Sequence, residues 1–453
     1  MASPLFNINR SQDKNSDFII HPRDAELLKI RNKKRAFVSF GSERRFVNVK
    51  ISMDFGENNI TLSDNIIEDL HLPDFVEYEI SVFKNEIRIG PYIGLLVSNT
   101  NEKFAKGKFS RLMVYTKAYS KCNGAVVAFS LDKVDKVKRM IVGYCYNPVS
   151  GSWEEGVFPY PWAIFRTIGM NEEWKNHFLT VIGDNVFNSV YFNKWEMYQW
   201  MSESKFVNKL LPDTILYKSG DDIDSMLCKH EKIYVKPISG LKGNGVVKIE
   251  KDQDIITFKY RENGKNQIIR VCDRDDGVNF INRMFVPKKY IIQEAIKLIK
   301  YDGGLIDFRC VMEKDNDLTW KCFAVFGRCG VKDSVVSNVS NGGSVFLQDD
   351  LLKKAFSSSQ YELAEIKEKF AKTTLRICQE LDKAGIHCAV VGLDIGVDEN
   401  GKLWLIEINN RDPSPMFAIE VKDKELFYTL KTNPVLYAKA LEGFNARGKQ
   451  CDF

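Results

Sequence analysis

The stretch Val390–Pro415 constrains the fold more than any other part of the chain, and it reads VVGLDIGVDENGKLWLIEINNRDPSP. Two apolar runs flank residues 398–401, Asp-Glu-Asn-Gly, and an Asn-Gly pair is a strong signal for a tight turn between two strands. The stretch is therefore predicted to form an antiparallel β-hairpin. A hairpin with one apolar face must pack that face against a core.

The register of this hairpin decides which side chains share a face. If Val397 pairs with Lys402, strict alternation predicts one mixed face and one apolar face. The mixed face would carry Asp394, Leu405, Glu407 and Asn409, and the apolar face would carry Val391, Leu393, Ile395, Trp404, Ile406 and Ile408. Asp394 would lie opposite Leu405 and diagonal to Glu407, within the reach of one ion. These oxygen ligands suit Mg²⁺ held jointly with nucleotide phosphates. A merely solvated polar face is the alternative, because a bulge would shift the register.

The length and charge of the chain restrict its class. A chain of 453 residues is expected to hold two or three domains, and 44% hydrophobic with 28% charged residues is ordinary for a globular protein. The net charge of +5 is mild and the charges are interleaved, which argues against a surface that coats nucleic acid. We interpret the basic run at residues 31–35 as a solvated stretch rather than a nucleic-acid or lipid patch.

The cysteines indicate a reducing compartment. The chain has ten scattered cysteines, no Cys-x-x-Cys and five histidines, so neither a zinc site nor a secreted disulfide framework is expected. No apolar run reaches the roughly 18–20 residues that cross a bilayer, and residues 1–23 lack the apolar region of a signal peptide. A cytoplasmic location without a membrane span is the resulting prediction.

Changes of pattern along the chain predict four parts. Residues 1–34 are expected to be a polar segment, residues 35–90 a small β-rich domain, residues 91–186 an α/β domain and residues 187–453 a mixed α+β domain. Within the second part, residues 62–70 are predicted to be a helix capped by Ser63 or Thr61. Within the third, a strand at 92–97, a helix at 104–121 and a strand at 124–130 suggest a parallel unit. Arg166 could bind an anion or form a surface salt bridge.

A second informative stretch, residues 234–247, reads YVKPISGLKGNGVV. A strand delivers Lys236, and a glycine-rich turn then leads into another strand. Glycines let backbone N–H groups approach phosphate oxygens, and a lysine at the strand end adds a positive charge. The spacing fits neither the P-loop nor the dinucleotide-binding fingerprint. A plain glycine-rich hairpin is the alternative.

Two further stretches carry polar residues at strand ends. Residues 290–309 include the pair Gln293-Glu294 and then Asp307 and Arg309. Residues 328–343 supply an arginine, an asparagine at position 338 and two adjacent glycines. Arginine can stabilise charge on a transferring phosphoryl group or an acyl phosphate, and asparagine can reach phosphate or metal. Taken singly, each of these residues could equally be structural.

The order of these motifs resembles the ATP-grasp superfamily: a Lys-Pro strand with a glycine loop, a Gln-Glu strand, Asp-x-Arg, Arg…Asn…Gly-Gly, and Asp…Glu-x-Asn. The match is closest to the RimK-type amino-acid ligases and the YheC/YheD-type endospore coat-associated proteins. The second resemblance extends to residues 87–96 (IRIGPYIGLL), 192–195 (FNKW) and 211–214 (LPDT). It covers residues 35–422, and the C-terminal remainder matches less clearly.

The resemblance implies an α+β ATP-grasp fold in which two subdomains clasp ATP, preceded by an α/β pre-ATP-grasp domain and the β-rich N-terminal domain. By motif position, Arg309 and Arg328 would be catalytic and would face the γ-phosphate and an acyl phosphate. Asp394, Glu407 and Asn409 would hold one or two Mg²⁺ ions, which Mn²⁺ could replace. The residues that would bind the cofactor are Lys194, Lys236, Ser239, Gly240, Gly243, Gly245, Gln293, Glu294 and Asn338.

The function implied by the resemblance is an ATP- and Mg-dependent carboxylate–amine ligase. In the usual scheme of this superfamily, a carboxylate attacks the γ-phosphate and an amine then displaces phosphate from the acyl phosphate. The substrate would be an amino acid, a peptide or a spore or cell-envelope component, with spore-coat association and no nucleic-acid partner. Residues 335–337 (VVS) lack the acidic residue typical of RimK-type ligases, which argues against their substrate, a protein C-terminal glutamate. The alternatives are a non-catalytic, nucleotide-binding coat scaffold and a kinase.

Overall fold

The computed structural model describes residues 4–12, 17–102, 109–240, 243–262, 265–272, 274–332, 342–356, 360–410 and 415–444. Within these ranges the strands form four sheets. Among the described helices, none combines the length and apolar composition needed to cross a membrane.

The first sheet has the strand order β1-β5-β2-β4-β3-β7-β6. Its strands are β1 (Asn7–Ser11), β2 (Phe18–Ile20), β3 (Arg35–Phe40), β4 (Glu43–Ile51), β5 (Asn59–Ser63), β6 (Glu79–Phe83) and β7 (Glu86–Gly90), with helices α1 (Pro22–Leu27) and α2 (Asp64–Leu70). Helix α2 begins after Ser63, one of the two predicted caps. The stretch predicted as a polar segment, residues 1–34, instead contributes β1 and β2 to this sheet. Phe6, Phe18 and Ile20 are fully buried there, although their runs are too short to signal strands in the sequence.

The second sheet has the order β11-β10-β9-β8-β12-β13. Its strands are β8 (Tyr92–Ser98), β9 (Ala125–Asp135), β10 (Met140–Asn147), β11 (Ser152–Pro159), β12 (Ala163–Arg166) and β13 (Val186–Phe187), with helices α3 (Phe109–Leu112), α4 (Tyr119–Cys122) and α5 (Glu172–Ile182). Strands β8 and β9 are parallel, as the apolar runs predicted. The long helix predicted at 104–121 is wrong within the described residues, where the two short helices α3 and α4 occur instead. Arg166 is buried, and its guanidinium donates to the carbonyl oxygens of Asn188 and Ile168.

The third sheet is antiparallel, with the order β14-β19-β15-β16-β17-β18. Its strands are β14 (Thr214–Leu216), β15 (Lys232–Pro237), β16 (Val247–Asp252), β17 (Ile255–Glu262), β18 (Lys265–Val271) and β19 (Tyr290–Glu294). Helices α7 (Gly220–His230) and α8 (Arg274–Met284) pack on this sheet, whereas helix α6 (Lys194–Ser202) and a 3₁₀ turn at Val207–Leu210 pack against the core of the fourth sheet. Helix α7 packs its apolar face, which includes Ile223 and Leu227, against Ile233 and Val235 of β15. This packing fixes the strand that carries Lys236.

The fourth sheet runs β23-β22-β21-β24-β25, with β20 paired to β21. Its strands are β20 (Lys300–Tyr301), β21 (Gly304–Lys314), β22 (Trp320–Cys329), β23 (Ser344–Leu347), β24 (Val390–Val397) and β25 (Leu403–Asn409). Helices α9 (Gln348–Phe356) and α10 (Gln360–Lys383) lie between β23 and β24 in the chain, and helices α11 (Met416–Glu420) and α12 (Lys424–Leu441) follow β25. Phe370, Ile377 and Leu381 of α10 bury the apolar side of the sheet. Helix α12 returns to the second sheet, where Val435 and Tyr437 join its core.

The predicted hairpin exists as β24 and β25, but its predicted register is wrong at the turn. Val397 pairs with Leu403 rather than Lys402. The backbone of Asp398 donates to the carbonyl oxygen of Lys402, and the Asp398 carboxylate accepts the N–H groups of Asn400 and Lys402. The turn therefore contains three residues and ends at Gly401, whose φ of +72° suits glycine. The carboxylate of Asp398 fixes this turn, which a search for Asn-Gly alone does not reveal.

A bulge then corrects the register further along the hairpin. Ile395 pairs with Leu405, but Asp394 pairs with Glu407, so the strand β25 contains one extra residue at Ile406. Leu405 is consequently only 1% exposed and belongs to the core, whereas Ile406 lines the cleft described below. The predicted faces of these two residues are thus reversed. The bulge places the two acidic residues directly opposite each other.

Candidate functional site

A cleft of about 1110 Å³ of empty space, partly open to solvent, lies between the third and fourth sheets. It brings together most of the predicted site residues: Lys194, Lys236, Gly240, Gly243, Gln293, Glu294, Arg309, Arg328, Asp394, Glu407 and Asn409. Ser239 and Gly245 belong to the same glycine-rich loop but are not part of the lining. Asn338 lies outside the described residues. Residues predicted from separate motifs therefore meet in one place.

Cross-strand register explains how the fourth sheet presents its charges. Asp307 of β21 pairs with Arg328 of β22, and Arg309 of β21 pairs with Asp394 of β24. Asp394 in turn pairs with Glu407 of β25. Paired residues of neighbouring strands point to the same side of a sheet. Five charged side chains from four strands therefore project from one face into the cleft.

These charges form a connected, buried network. Arg309 Nε donates to Asp394 Oδ1 at 2.5 Å and Arg309 Nη2 to Asp394 Oδ2 at 3.2 Å. Arg328 binds Asp307 through Nε at 2.7 Å and through Nη2, and its Nη2 lies 3.1 Å from Asp394 Oδ2. All four side chains are less than 10% exposed. Such pairing is required because an isolated buried charge is very costly.

The network shifts the acid–base properties of its members. Burial opposes the charge of Asp394, but Arg309 and Arg328 hold the pKa of this carboxyl below its ordinary value. Burial likewise opposes the charge of Arg328, and Asp307 and Asp394 hold the pKa of the guanidinium above its ordinary value. Both groups are therefore charged at neutral pH.

Lys194 reaches the cleft from the first turn of helix α6. Asn193 caps this helix by accepting the N–H groups of Trp195 and Glu196, and the Glu196 carboxylate accepts the N–H of Asn193 in return. A cation in the first turn of a helix is electrostatically unfavourable. Lys194 is compensated by Glu407, whose Oε1 lies 2.9 Å from its Nζ. Lys194 Nζ also donates to the carbonyl oxygen of Gly240 at 3.3 Å, so the lysine joins the glycine-rich loop to a predicted metal ligand.

Lys236, at the end of β15, has a different environment. Its Nζ donates to Oε1 of Gln293 at 2.5 Å, and Gln293 Nε2 donates to Thr214 Oγ1 at 3.0 Å. Burial lowers the pKa of Lys236 to about 8, and the nearby charge of Lys194 adds to this effect. The amide of Gln293 thus holds the lysine in place without neutralising it.

Glu294 forms the other end of the third-sheet wall. Its backbone N–H donates to the carbonyl oxygen of Asp213 at 2.8 Å, and its carboxylate accepts the N–H of Asp213. The Asp213 carboxylate lies 2.6 Å from Lys229 Nζ and 2.7 Å from His230 Nε2. These contacts tie β19 to the C-terminal turn of helix α7. Glu294 is therefore held at the rim of the cleft by backbone and side-chain bonds together.

Apolar side chains also line the cleft: Val246, Ile296, Leu298, Leu305 and Ile406. Leu298 and Ile406 lie close together beside Gly396. Pockets for cofactors typically combine such apolar surfaces with a few oriented polar groups. The lining of the cleft therefore combines apolar side chains with charged ones.

The predicted metal ligands fit a hard cation only in combination with other oxygens. Asp394, Glu407 and Asn409 offer two carboxylates and one amide, and Asn409 Nδ2 lies 3.3 Å from Asp394 Oδ2. Within the described part of the chain, no three His, Cys, Asp or Glu side chains are grouped to bind a metal by themselves. Oxygen ligands of this type suit Mg²⁺, whose coordination is usually completed by water and phosphate. The residues present therefore fit Mg²⁺ together with a phosphate ligand.

Sequence reasoning missed three contributors to this site. Asp307 received no role, although it lies two residues before Arg309 and alternation along a strand puts both on one face. Thr214, which accepts from Gln293, had no signal of its own. Ile406 was assigned to the core because its bulge cannot be recognised from hydrophobic alternation.

Two curated proteins of Bacillus subtilis (strain 168) are related to this chain. The endospore coat-associated protein YheD is 23% identical over 377 residues, which span 80% of this chain and 81% of the relative. The endospore coat-associated protein YheC is 23% identical over 238 residues, which span 52% of this chain and 64% of the relative.

Solved structures of ATP-grasp enzymes resemble the chain at low identity. The VanG D-Ala:D-Ser ligase from Enterococcus faecalis has a TM-score of 0.43 at 10% identity, covering 77% of this chain and 98% of that one. The ATP-grasp ligase PsnB, in complex with a phosphomimetic variant of its minimal precursor, Mg and ADP, has a TM-score of 0.42 at 11% identity. The match covers 78% of this chain and 99% of that one. The family model described as YheC/D like ATP-grasp matches residues 183–441, more than half of the chain. The chain belongs to this YheC/D-like ATP-grasp family.

Proposed function

We propose that this protein is an ATP- and Mg²⁺-dependent ligase that joins a carboxylate to an amine. The observation that carries the proposal is the composition of the cleft. Lys194, Lys236, Arg309 and Arg328 surround the same space as Asp394, Glu407 and Asn409. Cations for phosphate oxygens beside oxygen ligands for a cation are what a phosphoryl-transfer site requires.

The apolar pair Leu298 and Ile406 supports one orientation of ATP. This pair would contact the base, and Glu294 would accept a hydrogen bond from the amino group of the base. Lys194 and Lys236 would take the phosphates, with the backbone of Gly240 and Gly243 close to them. This orientation directs the γ-phosphate towards the charged network of the fourth sheet.

The metal ligands would act on the phosphates. Asp394, Glu407 and Asn409 would hold one or two Mg²⁺ ions, which when bound neutralise phosphate charge. Lys194 and Arg309, now paired with Glu407 and Asp394, would then contact phosphate oxygens instead. The carboxylates and the cations would exchange partners as the site fills.

In the proposed reaction, the substrate carboxylate and the substrate amine are the only nucleophiles, and no protein side chain forms a covalent bond. A carboxylate oxygen attacks the γ-phosphorus as its bond to the ADP oxygen breaks, which gives ADP and an acyl phosphate. An amine nitrogen then attacks the acyl carbon, phosphate leaves with the original carboxylate oxygen, and the amine proton passes to solvent. Arg309 and Arg328 would stabilise the negative charge on the transferred group. Positioning and charge stabilisation would supply the catalysis.

Release of ADP and phosphate in the presence of Mg²⁺ tests the proposal. Pools of amino acids and short peptides would be screened, with carboxylate-only and amine-only pools as controls. The proposal predicts release that requires both groups. Release of ADP without phosphate, with a carboxylate alone and a stable phosphorylated product, would indicate a kinase. Nucleotide binding without turnover in any pool would indicate a scaffold.

The names of the two relatives extend the proposal to a location. Both are endospore coat-associated proteins, and we carry the same association to this chain. A fluorescent fusion produced in sporulating Bacillus subtilis tests it. Fluorescence around the developing spore is expected, and uniform fluorescence of the mother cell would contradict it.

A further inference from the structure

The solvent-facing side of the first sheet carries an unusual group of side chains that the cleft does not use. We define the aromatic–cationic face as Arg35, Phe37, Arg44, Phe46 and Lys50, on the neighbouring strands β3 and β4. Phe37 pairs with Phe46, and their rings are 5.1 Å apart. Phe46 is 52% exposed, which is high for a phenylalanine.

The opposite side of the same strands faces the core. Ala36, Val38 and Val47 alternate with the residues of the aromatic–cationic face and are fully buried. Arg45, on that opposite side, is engaged by Glu43 and by Asp69. The aromatic–cationic face is therefore the side of the hairpin that is left for an external partner.

In the part of the chain that the structure describes, the cations of this face form no ion pair, and the nearby carboxylate of Asp17 accepts from Asn48. Within the described residues, Arg35, Arg44 and Lys50 have no carboxylate within 4.0 Å. Arg44 instead lies over the ring of Phe37, 4.4 Å from its centroid. The acidic Glu86 of the next strand is bound to Arg88. The face therefore combines exposed apolar rings with positive charge that is available to a partner.

We propose that the aromatic–cationic face binds an acidic, extended segment of a partner protein. Arg35 and Arg44 lie at the two ends of the hairpin face, because Arg44 pairs with Ser39, four residues beyond Arg35. At ~3.3 Å per residue, the backbone positions of the two arginines are ~13 Å apart along the strands, and the Arg44 side chain extends back over Phe37. An extended segment with acidic residues at positions i and i+4 matches the backbone spacing, and Arg44 would turn from the ring of Phe37 to meet the second carboxylate. An apolar residue at position i+2 then contacts Phe37 and Phe46.

The geometry of the rings favours a peptide over a nucleic acid. The planes of Phe37 and Phe46 are inclined at 59°, so they form no flat platform for successive bases. One face of Phe37 is already covered by Arg44. The space between inclined rings accepts a branched or aromatic side chain, and the arginines accept carboxylates in a bidentate manner.

Fluorescence anisotropy of a labelled peptide Gly-Glu-Ser-Phe-Ser-Glu-Gly with the full-length protein tests this proposal. We expect saturable binding that weakens as salt is raised. The same peptide with Lys in place of both Glu, and one with Ala in place of Phe, should bind at least fivefold more weakly. Equal binding of the lysine peptide, tighter binding of oligo-dT than of the acidic peptide, or no saturation at millimolar concentration would overturn the proposal.

Paired variants locate the binding. The double variant R35E/R44E should weaken binding of the acidic peptide by about tenfold or more, as expected from losing two exposed ion pairs. The matched control K133E/K138E makes the same charge change at exposed positions of the second sheet and should bind like the parent. Equal losses in both doubles would overturn the proposal. A further outcome would also overturn the proposal: the parent protein self-associates, R35E/R44E abolishes this self-association, and the acidic peptide does not bind. The face would then bind a second copy of the protein.

Discussion

The two walls of the cleft hold their cations in different ways. On the fourth sheet, Arg309 and Arg328 are buried and bound to the carboxylates of Asp307 and Asp394. On the third sheet, Lys236 donates to the neutral amide oxygen of Gln293. Arginine remains charged in proteins, so a buried arginine needs strong acceptors, which are carboxylates here, whereas a buried lysine can lower its pKa instead. The pKa of Lys236 falls to about 8 accordingly.

This difference assigns the two walls different tasks in the proposed reaction. On the third-sheet wall, Lys236 is bound to Gln293 and forms no ion pair with a carboxylate of β15, β16 or β19. This lysine is therefore available to phosphates. The fourth-sheet wall releases its arginines only as phosphate and metal replace their present partners. The network of the fourth sheet should therefore dominate both stability and turnover, and the third-sheet lysine should govern the response to pH.

The largest effect is expected from Glu407→Gln. Loss of one metal carboxylate should reduce phosphate release by about a hundredfold or more and weaken Mg²⁺-dependent ADP binding. Calorimetry with and without Mg²⁺ measures the second effect. The control Glu399→Gln removes an exposed charge at the turn of the same hairpin and should be without effect. Undiminished turnover in Glu407→Gln would refute the site assignment.

The bulge of the fourth-sheet wall is tested by two adjacent variants. Leu405→Ala should lower the free energy of unfolding by about 3 kcal/mol, because its side chain is in the core. Ile406→Ala should cost less stability but should weaken ADP binding several-fold, since Ile406 lines the cleft. Denaturant unfolding and calorimetry separate the two. The strict alternation predicted from the sequence would give the reverse result.

Asp307→Asn tests whether the arginine network depends on its carboxylates. Removing this charge leaves Arg328 with Asp394 alone, so the free energy of unfolding should fall by about 2 kcal/mol. The comparison is Glu368→Gln, which breaks the exposed contact with Lys372 and should not change unfolding. A loss no greater than that of Glu368→Gln would show that the two walls do not differ as described.

The third-sheet wall should impose a pH dependence on nucleotide binding. Phosphate favours the charged form of Lys236, whose pKa is about 8, so affinity for ADP should fall by roughly tenfold between pH 7 and 9. The effect of the same group on the stability of the folded protein has the opposite sign. The folded pKa lies below that of the unfolded chain, so this group makes the free energy of unfolding rise from about pH 8 towards pH 10.

Lys236→Arg provides the matched control for this pH effect. Arginine keeps its charge at these pH values, so the fall in affinity between pH 7 and 9 should disappear. Calorimetric titrations of both proteins at several pH values measure the difference. An identical pH profile in the two proteins would assign the titration to another group.

Much of the fold was predictable because the motifs lie on strongly patterned strands. The apolar runs of β8, β9 and β24 identified strands in the second and fourth sheets. The strands β1 and β2 were not predicted, since they have five and three residues and gain their stability from partners distant in the sequence. A local sequence pattern therefore predicts long apolar strands better than short strands whose stability depends on tertiary contacts.

The site was predictable in its residues but not in its arrangement. Asp394 and Glu407 were recognised from their spacing around the Asn-Gly turn. Their direct pairing was not, because it depends on a three-residue turn and a bulge at Ile406 that compensate each other. Likewise Asp307 was noticed beside Arg309, but its bond to Arg328 depends on the pairing of β21 with β22.

The central claim, that ATP is used to activate a carboxylate, is tested most directly by oxygen transfer. The protein is incubated with Mg²⁺, ATP and a pool of amino acids and short peptides whose carboxylates carry ¹⁸O, and the phosphate released is analysed by mass spectrometry. Our account predicts phosphate that contains one ¹⁸O atom derived from the carboxylate, and about a hundredfold less of it from Glu407→Gln. Release of unlabelled phosphate alone, or no release from any pool, would contradict it.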